Sequence, residues 1–65
     1  MTFLMFSGYY EVASAADILS LYKIRNRIVR APVSLNNSCS YAVLIDKREE
    51  EISRCILQTK GIKVL

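Results

Sequence analysis

Two short runs, Phe3-Leu4-Met5-Phe6 and Tyr41-Ala42-Val43-Leu44-Ile45, are apolar at every position. A run of this kind buries both of its faces, as a strand in the middle of a sheet does. Each run is followed by a stretch with helical periodicity. After the first, Val12, Ala15, Ala16, Leu19 and Tyr22 recur at i, i+3, i+4, i+7 spacing and predict a helix over residues 9–22. Ile18 and Leu21 widen that stripe, and Ser7 stands where a cap is expected. After the second, Asp46-Lys47-Arg48-Glu49 has capping-box spacing. Ile52, Cys55, Ile56 and Thr59 then form the expected inner face, which assigns Cys55 to the core, and Gly61 ends the helix as its C′ residue.

Two further short segments complete the pattern. Residues 25–30 carry Ile28 and Val29 among Arg25, Arg27 and Arg30. Charges on a strand suit an edge, where they discourage pairing with other chains. Residues 62–65, Ile-Lys-Val-Leu, form a short fourth strand. The order strand, helix, strand, strand, helix, strand predicts an α+β, ferredoxin-like βαββαβ fold. Its sheet is four-stranded and antiparallel, with both helices on one face. In the arrangement expected here, strands one and three are neighbours and run parallel.

The chain is one domain, residues 1–65. A domain of this size buries only about 60% of its extended surface. A hydrophobic fraction of 52% is high for such a chain and calls for a dense core or an apolar face with a partner. The net charge of +3 falls far short of a dedicated nucleic-acid binder. No apolar run reaches the roughly 18 residues of a membrane span. Residues 1–6 lack a basic leader and are too short for a signal peptide. Two cysteines without an export signal point to reduced thiols in the cytoplasm. With no histidine, the expectation is no metal and no cofactor.

One polar stretch interrupts the chain: Pro32-Val33-Ser34-Leu35-Asn36-Asn37-Ser38-Cys39-Ser40. Pro32 withholds a sheet donor, and the short Ser and Asn side chains favour turns. The stretch therefore reads as a loop between two strands, with Cys39 where loop becomes strand. A thiol set among hydroxyls and amides is the leading candidate for chemistry, and Pro32, Ser38 and Ser40 are its supporting loop. In the expected topology this loop lies where the helices finish, away from any helix N-terminus. Lys23, Arg25 and Lys60 gather at that end, and Arg30 enters the loop from strand two. Cations close to the sulfur favour the nucleophilic thiolate.

The register of Pro32, Leu35, Ser38, Cys39 and Ala42, set between an alanine-rich helix and an apolar strand, resembles a family of small bacterial selenium/sulfur carrier-like domains. Their loop has the form Pro-Arg-x-Ile-Ser-Ser-x-Cys-Gly. Here Val33 replaces the arginine, Asn36 and Asn37 the serines, and Ser40 the glycine. Lys23 replaces a glycine between the first helix and second strand. The resemblance implies that Cys39 accepts sulfur or selenium as a persulfide-type adduct and passes it to a partner protein. Such a carrier is not an enzyme, and the sequence fits that. It has no histidine, no paired catalytic acids and no glycine-rich phosphate loop.

The alternative function is a protein-interaction or dimerisation module. Two helices cover only one face of the sheet, and the other carries apolar side chains for a partner or a second copy. RNA binding would need an Arg/Lys-Gly-aromatic motif on a central strand, and strand three offers only Tyr41. A copper-chaperone role would need a Cys-x-x-Cys in the first loop, which is lacking.

Overall fold

The computed structural model describes residues 1–30 and 41–65. Three strands, β1 (Thr2–Met5), β2 (Asn26–Arg30) and β3 (Tyr41–Ile45), form one sheet in the order β1-β3-β2. Helix α1 (Tyr9–Leu21) links β1 to β2. A 3-10 turn (Lys47–Glu49) leads from β3 into helix α2 (Glu50–Thr59).

Both strand pairs are antiparallel. This corrects the expectation that strands one and three run parallel. They are neighbours, but Thr2 pairs with Ile45 and Met5 with Ala42. The fourth strand is also not formed among the described residues. Residues 62–65 instead give one backbone bond to β1, from the Leu65 N–H to the Met5 carbonyl at 2.9 Å. Among the described residues β1 therefore lies at an edge and β3 is the central strand. The arginine-bearing β2 is the other edge, as its charges foretell.

Residues paired across an antiparallel sheet share a face. Leu4, Val43 and Ile28 share one, as do Thr2, Ile45 and Asn26. Leu4, Val43 and Ile45 are fully buried and join Phe6, Val12, Ala15, Leu19, Ile24 and Leu57 in one core. Phe3, Met5, Val29, Ala42 and Leu44 lie on the opposite face with Arg27.

The α1 stripe follows its periodicity through Val12, Ala15, Ala16 and Leu19. It stops there: Leu21 is 81% exposed and Tyr22 is 50% exposed. The cap explains why. The Lys23 N–H donates to the Ser20 carbonyl (3.0 Å) and the Ile24 N–H to the Leu19 carbonyl (2.9 Å). This is a Schellman motif, in which the C″ residue folds back on C3. Ile24 takes the place in the core that Tyr22 would otherwise fill. Helix α2 ends identically, with Gly61 N–H to Gln58 (3.0 Å) and Ile62 N–H to Leu57 (2.9 Å). The left-handed C′ residue is Gly61 (φ 80°) in one case and Lys23 (φ 61°) in the other.

The inner face of α2 is rotated from the expected one. Ser53 and Leu57 are buried, whereas Ile52 is 56% exposed and Cys55 is an exposed free thiol. The cap anchors Leu57 inward as C3, and Ser53 lies one turn behind it on the same face. The cap geometry at the helix starts also differs. Gly8, not Ser7, is the N-cap of α1, with no side-chain bond. Asp46 caps the 3-10 turn by accepting from the Arg48 N–H (2.9 Å), and Glu49 makes no return cap.

Candidate functional site

The sequence places its candidate chemistry at Cys39, supported by Pro32, Ser38 and Ser40. All four lie outside the described residues. What the structure does describe is the frame on either side. Residues 31–40 connect Arg30, the last residue of β2, to Tyr41, the first of β3, and these two are direct partners across the ladder. At this end of the sheet β1 also finishes, with Met5 opposite Ala42.

Because β1 runs antiparallel to β3, this is the end where α1 begins, not where it ends. Tyr9, the first residue of α1, sets its ring edge-on against Tyr41, with centroids 5.2 Å apart and planes at 73°. The Arg30 guanidinium carbon lies 5.8 Å from the Tyr41 ring centroid, within cation–π range. The expectation that no helix N-terminus stands near the connection is thereby overturned. A helix start carries partial positive charge from its unpaired N–H groups. At α1 those groups receive no side-chain cap.

The four cations expected around the thiol divide into two pairs. Arg30 ends β2 at the Tyr41 end. Lys60 follows α2 and lines a cavity of about 460 Å³ with Ser7, Tyr10 and Glu11, beside the first turn of α1. Lys23 and Arg25 lie at the opposite end, in a cavity with Asn26 and Leu44. There Asn26 pairs with Ile45, four residues along β3 from Tyr41, or roughly 13 Å of strand. The expectation that Lys23 and Arg25 share an end with the thiol rests on strands one and three running parallel, and the antiparallel register removes both from that end.

Sequence reasoning missed the exposure of Cys55. The signal was present in Leu57, which competes with Ile52 for the inner face. Among the described residues no group of three or more metal-ligating side chains occurs. No helix among the described residues is long and apolar enough to cross a membrane. The Asp46 carboxylate is perturbed. A side-chain hydrogen bond from Arg48, then the Arg48 backbone N–H, holds it below the usual carboxylate range and raises Arg48 in turn.

The described residues thus define a small α+β domain built on a three-stranded antiparallel sheet with two helices. The chain belongs to the family described as "Putative Se/S carrier protein-like", which it matches over residues 1–65. No curated protein and no solved structure matches it.

Proposed function

We propose that the protein is a non-enzymatic sulfur or selenium carrier whose working group is the Cys39 thiolate. Its partner is a protein that donates or accepts the atom. Membership of the carrier-like family supports this, together with the composition of residues 31–40. The observation that carries it is the frame: β2 ends and β3 begins, joined by the segment that holds Cys39, beside the start of α1, whose unpaired N–H groups carry partial positive charge against the one carboxylate of the first turn, Glu11. Arg30 and Lys60 add charge at that end. Positive surroundings of this kind lower a thiol's pKa and raise its thiolate fraction.

In the transfer step the Cys39 thiolate attacks the outer sulfur of a donor persulfide. A new S–S bond forms to Cys39, the donor's S–S bond breaks, and the donor leaves as a thiolate. The proton stays on the transferred sulfur, so no external oxidant or reductant enters. A reduced thiol of this kind suits a cytoplasmic protein.

The test is the alkylation rate of Cys39 against pH in a Cys55→Ser background, which removes the exposed second thiol. A midpoint below the free-thiol value of about 8.5, raised again by Arg30→Gln or Lys60→Gln but not by Arg25→Gln, supports the reading. A midpoint at or above the free-thiol value refutes it. Incubation with a persulfide donor then adds one sulfur atom to Cys39, read by peptide mass spectrometry.

The finer fold assignment belongs with this reading. Residues 62–65 are the fourth strand of a ferredoxin-like sheet, adjoining β1. Ile62 and Val64 pack on the core while Lys63 lies between them, and Leu65 bonds to Met5. Slowed amide exchange at Leu65 in solution is the expected sign. A second reading, an interaction or dimerisation module, rests on the apolar face of Phe3, Met5, Val29 and Leu44, opposite the core. Light scattering behind size exclusion distinguishes a dimer from a monomer.

A further inference from the structure

The cavity at the other end of the sheet has a chemistry of its own. It is an open cleft of about 600 Å³, lined by Met1, Ser20, Lys23, Ile24, Arg25, Asn26, Arg27 and Leu44. That volume lies within the usual range of small-molecule sites. Three of its lining residues are cations and none is acidic. Lys23, Arg25 and Arg27 are all exposed, and none forms an ion pair among the described residues.

The floor is apolar and the rim is held. The half-buried Leu44 supplies hydrocarbon and lies opposite Arg27 on the sheet face away from the core. The Asn26 amide donates to the Ser20 hydroxyl oxygen (3.0 Å) and to the Ile24 carbonyl (2.9 Å), tying the end of α1 to the start of β2. Lys23 reaches this rim from a left-handed backbone (φ 61°), a conformation that an L-residue adopts only at a cost. Of the last four carbonyls of α1, three are already engaged in backbone bonds. Ile18 and Leu19 accept from Tyr22, Leu19 also from Ile24, and Ser20 from Lys23.

We infer that this cleft binds a small organic phosphate. The phosphate is held by Lys23, Arg25 and Arg27, and the apolar body rests on Leu44. Guanidinium groups match phosphate oxygens in pairs. Three cations suit the dianion of a phosphate monoester better than the single charge of a carboxylate. The site is independent of Cys39 and stands or falls apart from the carrier reading.

The test uses the whole chain, labelled with nitrogen-15 and titrated with phenyl phosphate, inorganic phosphate, benzoate and benzyl alcohol. Saturable shifts confined to the amides of residues 20–27 and 44 are expected with phenyl phosphate. Inorganic phosphate, which lacks the apolar body, and benzoate, which lacks the second negative charge, bind about tenfold more weakly, and benzyl alcohol does not bind. Arg25→Gln with Arg27→Gln weakens phenyl phosphate by about tenfold or more, while Lys47→Gln, outside the cleft, leaves it unchanged. The exposed positions of both arginines keep the fold intact, which an unchanged spectrum elsewhere verifies. Shifts spread over every cationic surface, equal binding by the double variant, or no saturable shift overturns the proposal.

Discussion

Replacing Lys23 by glycine is expected to stabilise the protein. The two helices end in the same Schellman geometry, but glycine holds the left-handed position in only one of them. At Lys23, a side chain in the αL region costs roughly 1–2 kcal/mol. Glycine removes that cost but adds freedom to the unfolded chain, which takes back about 0.5–1 kcal/mol. The net gain is about 0.5–1 kcal/mol. Lys23 is exposed and makes no ion pair among the described residues, so losing its side chain subtracts little. For a chain of 65 residues that gain raises Tm by about 3–6 °C. Lys23→Ala is the control: it deletes the side chain but keeps the Cβ, and it gains nothing. Gly61→Ala is the converse. Nothing lies within 4 Å of a Cβ built there, so its expected loss of about 1 kcal/mol is the backbone cost alone. Thermal unfolding followed by circular dichroism measures all three. If Lys23→Gly is no more stable than Lys23→Ala, backbone conformation is not what limits this cap.

Ser53 is fully buried, and its hydroxyl has no hydrogen-bond partner among the described residues. Ser53→Ala is expected to stabilise by about 1 kcal/mol in urea unfolding, and a loss of stability would reveal a partner for that oxygen. Asp46, held below its ordinary pKa of 3.8 chiefly by the Arg48 side chain, stabilises the fold while ionised. Its contribution is complete above the ordinary value and fades as pH falls through the lower folded one. The Tm difference between wild type and Asp46→Asn is therefore expected near neutral pH and shrinks in acid; a difference independent of pH would separate the cap from the charge. The Tyr9–Tyr41 ring contact is expected to give a coupling of about 0.5 kcal/mol in a Tyr→Leu double-mutant cycle, at the low end for aromatic pairs because both rings are partly exposed. A coupling of zero would detach the start of α1 from the start of β3.

Much of the local structure is legible from short-range pattern. The spacing of Val12, Ala15, Ala16 and Leu19 specifies the buried face of α1, and Gly61 marks the end of α2 by the conformation it alone adopts cheaply. The arginines of residues 25–30 mark an edge strand, and the five apolar residues of β3 mark the centre of the sheet. Family membership is legible too, in the register from Pro32 to Ala42. All of these depend on residues within a few positions of one another.

The tertiary structure decided what depends on strand direction and packing. An all-apolar strand such as β1 reads the same in either direction. The element order does carry the direction, since a strand–helix–strand crossover sets β1 parallel to β2 and the chain reverses before β3, but the residues that meet across the pair are given only by the register. The antiparallel register sends Lys23 and Arg25 to one end of the sheet, and leaves Arg30, Lys60 and the start of α1 at the other. Likewise Ile56 fits either of two adjacent stripes on α2. Only the cap that turns Leu57 inward chooses the one that buries Ser53 and exposes Cys55. A side chain's neighbours along the chain determine its local conformation, but the charges and surfaces it meets come from elements distant in sequence, and only folding brings those together.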